Sequence, residues 1–403
     1  MTSRPIVRFL DRTTPPHILT LVMITGMSAL SMSIFLPSLA AMTSYFETDY
    51  AIMQIALSGY LAATALMQVF IGPISDRYGR RVIVIGSMAV FVVASIGAML
   101  ATTVEMFLLF RILQTSVATS MALGRAIVRD MVPQDEAASM IGYVTMGMAI
   151  VPMVGPMIGG ALEQLFGWQA TFLFLAIAGF ATLLLVFADL GETVQGSGVG
   201  FREQFRTYPE LLQSPRFWGY VLCSAFASGG FFALLGGTSF IADGIFGLSP
   251  LWSGIALGTP AIGYVFGNFI SGRFSVRYGV NRMAIAGSLV LIFGMGASLL
   301  LTLGGISHPL AFFGFCVFLG IGNGIVLPNV MAGSISVRPH LAGTASGLGG
   351  AIMIGGGAAL SQYAGSILTI DSGTLPLQTI MFCTSVGALL SVLFVVWRER
   401  QIA

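Results

Sequence analysis

Apolar residues in this chain form long runs that are separated by short polar segments. A run of about 20 apolar residues is long enough to cross the hydrocarbon core of a bilayer, about 30 Å thick, as one α-helix. The sequence contains twelve such runs and therefore predicts an all-α membrane protein with twelve transmembrane helices. The predicted spans are 18–40, 51–71, 82–102, 104–127, 138–161, 169–189, 217–240, 251–272, 283–304, 309–332, 342–366 and 376–397.

The composition points in the same direction. Hydrophobic residues make up 56% of the 403 positions and charged residues 8%, whereas a soluble domain carries about 25% charged residues. A water-soluble fold of this composition would expose large apolar areas. The net charge of +2 is too small to indicate a nucleic-acid partner.

Charge is distributed unevenly between the two sides of the predicted membrane. All 18 basic side chains are arginine, and 17 of them fall on one side together with ten acids. The other side has six acids and no base: Glu47, Asp49, Glu105, Glu163, Asp243 and Asp371. Because basic loops stay in the cytoplasm, both termini are predicted to be cytoplasmic. The exclusive use of arginine, with abundant glycine and alanine, favours a GC-rich bacterial genome and hence a bacterial inner membrane.

The chain divides into two related halves. The longest polar stretch, 191–216, predicts a cytoplasmic linker between a bundle at 1–190 and a bundle at 217–403. The segments that begin at Gly72 and Gly272 share Gly, Ser, Arg, Tyr and Gly at a constant offset of 200 residues. This repeat indicates a parallel duplication of a six-helix unit, which would enclose a central cavity near the midplane.

The first copy of the repeated loop has a charged pattern formed by Gly72, Asp76, Arg77, Gly79, Arg80 and Arg81. Gly79 allows a sharp turn between antiparallel helices. Asp76 can pair with the arginines or with a helix N-terminus of the other half, and such a contact would act as a latch with Arg80. Simple anchoring of the loop at the membrane surface is the alternative. The second copy has Val276 in place of Asp76.

Two intramembrane features are candidates for function. Arg111 lies inside the fourth span, where a charge is costly unless it has polar partners, and Gln114 shares its helix face. The fifth span contains Pro152, Gly155, Pro156, Gly159 and Gly160, which predict a bend and close helix packing. A role in tying helices together is the alternative for Arg111, and an ordinary kink is the alternative for the prolines.

The predicted cavity lining consists of polar or aromatic positions in otherwise apolar spans. With Arg111 and Gln114, the candidates are Ser33, Tyr60, Tyr264, Asn268 and Asn323. Hydrogen bonding between helices is an equally good explanation for each uncharged member.

The charged loop resembles the signature of the major facilitator superfamily. The proline–glycine run of the fifth span is similar to the motif that this superfamily reserves largely for drug and proton antiporters. Leu36-Pro37, the run from Arg125 to Asp130, and Gly167-Trp168 resemble the Bcr/CflA drug-resistance subfamily. The resemblance implies a transporter that works by alternating access and exports chloramphenicol-like, bicyclomycin-like or other small amphipathic compounds against proton entry. It also implies that Arg111 and Gln114 govern coupling and substrate charge.

One position departs from the subfamily. Ser33 stands where the subfamily usually has an acid, and no carboxylate remains in the middle of any predicted span. Arginine effectively never deprotonates, so Arg111 cannot carry the proton. The proton would then bind a peripheral acid, such as Glu105 or Glu163, or travel with the substrate.

Other classes of function are disfavoured. The glycine-rich segments lack the pattern of a phosphate-binding loop, and the three histidines lack metal-ligand spacing, so we expect no cofactor, no metal and no enzyme activity. We expect a monomer in the lipid bilayer whose partners are a small-molecule substrate and protons. An exporter or importer of a native metabolite, or a membrane sensor or scaffold that transports nothing, are the alternatives.

Overall fold

The computed structural model describes residues 7–131, 151, 154–193, 208–338 and 341–402. These residues contain twelve long helical runs, which we label α1–α12. In the first half they are α1 (Ile18–Ser33), α2 (Ile55–Tyr78), α3 (Arg80–Met99), α4 (Val104–Leu113, then a 3₁₀ turn Gln114–Val117, then Ala118–Met131), α5 (154–166) and α6 (Gln169–Asp189). In the second half they are α7 (Pro215–Ser239), α8 (Pro250–Tyr278), α9 (Val280–Leu303), α10 (Cys316–Ser336), α11 (Ala342–Ile367) and α12 (Leu375–Ile402).

Short elements extend several of these helices. After α1 the chain passes through a 3₁₀ turn, Leu36–Ser38, into a short helix, Leu39–Tyr45. Another short helix, Tyr50–Met53, precedes α2. The chain continues from α7 into a π-helical turn, Phe240–Ile245, and a second such turn, Leu310–Gly314, precedes α10.

The helices have the length and composition of membrane spans. Among the described residues, nine helices are long and apolar enough to cross a bilayer. Two further helices, α8 and α11, are 29 and 26 residues long and richer in glycine and serine. The prediction of an all-α membrane protein with twelve spans is confirmed.

The repeated loop has the same geometry in both halves. Gly79 separates α2 from α3 with φ +94°, and Gly279 separates α8 from α9 with φ +83°. Since side chains rarely adopt such φ values, glycine allows both turns to be this short. We call the end of the molecule that carries these turns the arginine end, and the other end the far end.

Glycine also sets the distance between helices inside the second half. A Cβ atom placed on Gly320 of α10 would lie 1.7 Å from the carbonyl oxygen of Pro260 on α8, and one on Gly263 of α8 would lie 1.9 Å from that of Val317. The two backbones are therefore in direct contact, as is common between membrane helices rich in small residues.

Each half has its own apolar core. One cluster of buried residues is drawn mainly from α1–α6 and includes Phe91, Phe107 and Phe172. The other is drawn from α7–α12 and includes Phe217, Leu291 and Met381. The first cluster also contains Phe232 and Ile354 of the second half, so the halves share some apolar packing.

Candidate functional site

Arg111 is fully buried inside the first half. Its guanidinium lies 4.2 Å from the ring centre of Phe35 and 4.9 Å from that of Tyr60, so it is enclosed by two aromatic side chains. It donates hydrogen bonds to Gln114 Oε1 (2.5 Å), to the carbonyl of Ala56 (3.3 Å) and to that of Ser31 (3.4 Å). Ring faces and carbonyl dipoles therefore stabilise this charge.

Gln114 connects Arg111 to a third helix. It lies at the start of the 3₁₀ turn that interrupts α4, and its Nε2 donates to Ser95 Oγ on α3 at 2.7 Å. Tyr60 of α2 donates to the carbonyl of Ser28 on α1 at 3.3 Å. The predicted group Arg111, Gln114 and Tyr60 is thus brought together. None of the ion pairs identified in the described part of the chain includes Arg111.

Ser33 lies in a different contact. Its hydroxyl donates to the carbonyl of Ala29 at 3.1 Å, within α1. A Cβ atom on Gly155 would lie 3.2 Å from Ser33 Oγ, so this side chain faces α5. The position at which the resemblance leads one to expect an acid is therefore at the contact of α1 with the proline–glycine helix.

Two of the predicted lining residues of the second half, Tyr264 and Asn268, lie along the contact of α8 with α10. Asn268 Nδ2 donates to the carbonyl of Tyr264 at 2.8 Å, within α8. A Cβ atom on Gly324 would lie 2.5 Å from that same carbonyl oxygen. Asn323 is buried, and its Oδ1 has no hydrogen-bond partner among the described residues. None of the contacts identified for these three residues reaches Arg111, so their place in one common site stays a prediction.

At the arginine end, the start of α3 is held by a residue that sequence reasoning missed. The carboxylate of Glu192 accepts hydrogen bonds from the backbone N–H groups of Arg80 (2.9 Å) and Arg81 (3.3 Å). A Cβ atom on Gly79 would lie 2.4 Å from Glu192 Oε2. The carboxylate stabilises the N-terminus of α3, where helix dipoles favour negative charge.

The side chains of the loop bind other parts of the first half. Arg80 Nε lies 2.8 Å from Asp130 Oδ2 at the end of α4. Arg81 donates to the carbonyls of Leu190 (2.7 Å) and Phe187 (3.0 Å) and so caps the C-terminus of α6. The backbones of Gly72 and Asp76 belong to the last turns of α2, but the side chain of Asp76 lies outside the described residues. A latch formed by Asp76 therefore stays a prediction.

A second missed acid fixes the N-terminal segment. Asp189, at the end of α6, is fully buried. It accepts hydrogen bonds from Leu10 N (2.7 Å), His17 N (2.8 Å) and Thr20 Oγ1 (2.6 Å). In the sequence these partners lie more than 160 residues away, so spacing could not have revealed them.

The proline–glycine helix lies between the two halves at the far end. A Cβ atom on Gly160 would lie 2.2 Å from the carbonyl oxygen of Pro250, at the start of α8. One on Gly254 of α8 would lie 2.2 Å from the carbonyl oxygen of Pro156. Gly159 approaches the carbonyl of Ile34, the residue that follows α1, in the same way. Pro152, the other predicted proline, lies outside the described residues.

Polar contacts join the halves at the same end. Tyr50 donates to the carbonyl of Gly236 at 3.0 Å, and Ser239 donates to the carbonyl of Leu36. Further contacts between the start of α2 and α11 join Gln54, which precedes α2, to Ser361 (3.0 Å) and Ser58 to Gln362 (2.6 Å). We call the contacts of Pro156, Gly160, Pro250 and Gly254, with these polar bonds, the seam. The seam closes the far end of the space between the halves.

An all-helical membrane protein whose halves repeat the same loop and meet at one end has the architecture of a transporter. Comparison with known proteins agrees. The model of the Major Facilitator Superfamily matches residues 21–362, and the chain belongs to that family. It is a multi-pass membrane transporter.

Individual relatives extend over nearly the whole chain. The uncharacterized MFS-type transporter YdgK of Bacillus subtilis is 30% identical, over 91% of this chain and 93% of its own. A chloramphenicol resistance protein of Pseudomonas aeruginosa is 28% identical, over 90% of this chain and 85% of its own. The solved structure of a bacterial homolog of the human lysosomal transporter Spinster, inward-facing and occupied, has a TM-score of 0.70 at 18% identity and covers 95% of this chain and 96% of its own.

Proposed function

We propose that this protein is a proton-coupled exporter of small amphipathic compounds, of the chloramphenicol or bicyclomycin kind, in a bacterial inner membrane. It works as a monomer with both termini in the cytoplasm, so that the arginine end is the inner end. Bundles at 1–190 and 217–403, joined by the linker 191–216, move against each other and expose the substrate alternately to the two sides.

The observation that carries this proposal is the position of the proline–glycine helix. The resemblance links this sequence to antiporters, and in the structure its residues Pro156 and Gly160 touch α8 across the seam. Since the seam closes the outer end in this orientation, the antiporter sequence lies at the gate that must open for export. The similarity to a chloramphenicol resistance protein supports the substrate class.

The remaining predicted residues receive roles within this proposal. Arg111, positioned by Gln114, provides a fixed positive charge inside the first half, which favours neutral or anionic substrates over cationic ones. Asp76 and Arg80 hold the inner end closed when the outer end is open. Pro152 and Pro156 bend α5 at the gate.

The test is drug accumulation in a drug-sensitive bacterial host. Cells that produce the wild type should accumulate less chloramphenicol than cells with an empty vector, and a proton uncoupler should abolish the difference. A panel of native metabolites in proteoliposomes distinguishes the alternative substrate class. Unchanged accumulation of every drug tested, with transport of a metabolite, would contradict drug export.

A further inference from the structure

Two acids at the far end are candidates for proton binding, and their surroundings differ. Glu105 lies in the first turn of α4 and is exposed to solvent. Glu163 lies in the last turn of α5, half-buried, and its Oε2 is fully enclosed with no hydrogen-bond partner among the described residues. Only the second environment penalises the charged form of a carboxyl group.

Glu163 lies where the seam meets α1. It follows Gly159 by four residues and Gly160 by three, so it continues the helix face with which those glycines touch α1 and α8. On the chain after α1, Ser38 follows Ile34 by four residues. The Ser38 hydroxyl is likewise buried, and it neighbours the Glu163 carboxyl.

None of the ion pairs identified among the described residues gives the Glu163 carboxylate a counter-ion. The elements packed at this corner carry Tyr45, Glu47 and Asp49 after α1 and Asp243 after α7, and the first turns of α8 carry no titratable group. Asp243 also lines an adjoining cleft of about 220 Å³ with Pro37 and Pro250. No arginine occurs in any predicted segment of this side of the membrane. An ionised Glu163 would therefore be partly buried, with no ion pair to a basic side chain identified in the described part of the chain.

Glu163 lies beyond the predicted apolar span 138–161. Burial raises the pKa of its carboxyl above the ordinary value, and the neighbouring Ser38 hydroxyl has a smaller effect in the opposite direction. The closed seam thus holds the acid in its neutral form more readily than water does.

We propose that Glu163 is a proton-binding group of the outer gate of this exporter: it takes a proton from the outer solution when the seam is open, the seam closes over the neutral acid, and the proton returns to the outer solution when the seam opens again. This inference rests on the proposed function. After a drug has left to the outside, the transporter must close its outer end, and protonation of Glu163 favours that step. Ionisation of Glu163 favours opening.

The pH dependence follows from the two states. In the open state Glu163 is solvated and has the ordinary pKa of a glutamate, whereas in the closed state its pKa is higher. The closed state is therefore favoured at low pH, and the preference is lost as pH rises through the closed-state pKa. Each unit of difference between the two pKa values changes the ratio of closed to open molecules up to tenfold.

A distance measurement between the halves tests this proposal without a substrate. Spin labels are placed at Thr102 and Ser307, which are exposed in far-end loops of the two halves, after Cys383→Ser removes the exposed native cysteine. The label distance of the otherwise unaltered protein should increase as pH rises. Glu163→Gln should remain closed at every pH, and Glu163→Asp, which still ionises, should retain a pH response.

Glu105→Gln is the matched control, because it removes an exposed acid at the same end and should leave the pH response unchanged. A pH-independent distance in the reference protein, or an unchanged pH response in Glu163→Gln, would overturn the role of Glu163. In proteoliposomes, wild-type drug transport that responds to a pH gradient while Glu163→Gln responds equally would reject this inference and leave drug export standing. The absence of any drug transport by the wild type would instead reject the proposed function.

Discussion

A methyl group added at the seam should hold the transporter open at its far end. Gly254 and Gly160 each face a backbone carbonyl of the opposite half, and an added Cβ would lie 2.2 Å from that oxygen in both cases. Cβ contacts below 3.0 Å are essentially never found in proteins, so the helices must separate by at least 0.8 Å, the difference between 3.0 and 2.2 Å. Because both contacting groups belong to the backbone, no side-chain rotation relieves the overlap.

The size of the effect follows from the cost of overpacking. Extra atoms in a well-packed contact cost about 1–3 kcal/mol. The cost applies only to the closed state, because the two helices are apart when the far end is open. The ratio of closed to open molecules should therefore fall by about 5–150-fold in Gly254→Ala or Gly160→Ala. The double variant should show less than the sum of the two effects, since one separation relieves both overlaps.

The label pair at Thr102 and Ser307 measures this change as an increase in the population with a long distance. Gly86→Ala is the matched control, because Gly86 is an exposed helical glycine with no atom within 4 Å of an added Cβ. It reports the gain of about 1 kcal/mol in helix propensity that every such substitution brings. Drug accumulation should rise in the seam variants and not in Gly86→Ala. If Gly254→Ala and Gly160→Ala gave the same distances and accumulation as Gly86→Ala, the seam would not be a gate.

The other predictions concern the fixed parts of the molecule, and thermal unfolding in detergent measures each of them. Gly79→Ala and Gly279→Ala each place a side chain at a positive φ, at a cost of about 1–3 kcal/mol. Only Gly79→Ala also brings the new Cβ against the Glu192 carboxylate, so this variant should unfold at the lower temperature. Equal decreases in the unfolding temperature would show that the Glu192 contact is unimportant. Asp189→Asn should destabilise the folded protein by about 1.5–3 kcal/mol, because an amide cannot accept all three hydrogen bonds. Asp371→Asn, at an exposed position, should change the unfolding temperature little. An equal effect of both substitutions would contradict the role of Asp189 in fixing the N-terminal segment. Arg111→Lys loses the planar contact of the guanidinium with Phe35 and Tyr60, so it should destabilise the folded protein by about 2 kcal/mol and raise drug accumulation in cells. Arg273→Lys, at an exposed position, is the control, and equal results for the two variants would refute the prediction for Arg111.

The fold was predictable because it depends mainly on the order of apolar and polar residues along the chain. A predicted span at 169–189 coincides with α6, and the glycine of the repeated loop marks the turn in both halves. Hydropathy fixes which segments cross the membrane, and a glycine between two apolar runs fixes where the chain turns. Neither property depends on which helices become neighbours.

The contacts between helices were not predictable in the same way. Glu192 lies in a polar linker that gave no signal of its own, and its partners Arg80 and Arg81 lie more than 100 residues earlier. The sequence groups Ser33 with Arg111 because both are polar positions in apolar spans, yet the neighbour of Ser33 is Gly155. Polar residues in apolar spans indicate buried hydrogen bonds, but only the packing of the helices decides whether the partner is a substrate or another helix.

In both halves a glutamate at the arginine end binds the start of the third helix of that half, but the chemical groups in contact differ. This comparison bears on how the halves move. In the first half, Glu192, just after the last helix, binds the backbone at the start of the third helix. In the second half, Glu399 in the last helix accepts from the Asn281 side chain (2.6 Å) and forms an ion pair with Arg216 (2.5 Å). Polar contacts thus hold the helices of each half together at the arginine end. The contacts across the seam are, by contrast, short approaches of uncharged groups, which separate without leaving a buried charge unpaired. We therefore expect transport to proceed by separation of the halves at the seam, with each half moving as a unit.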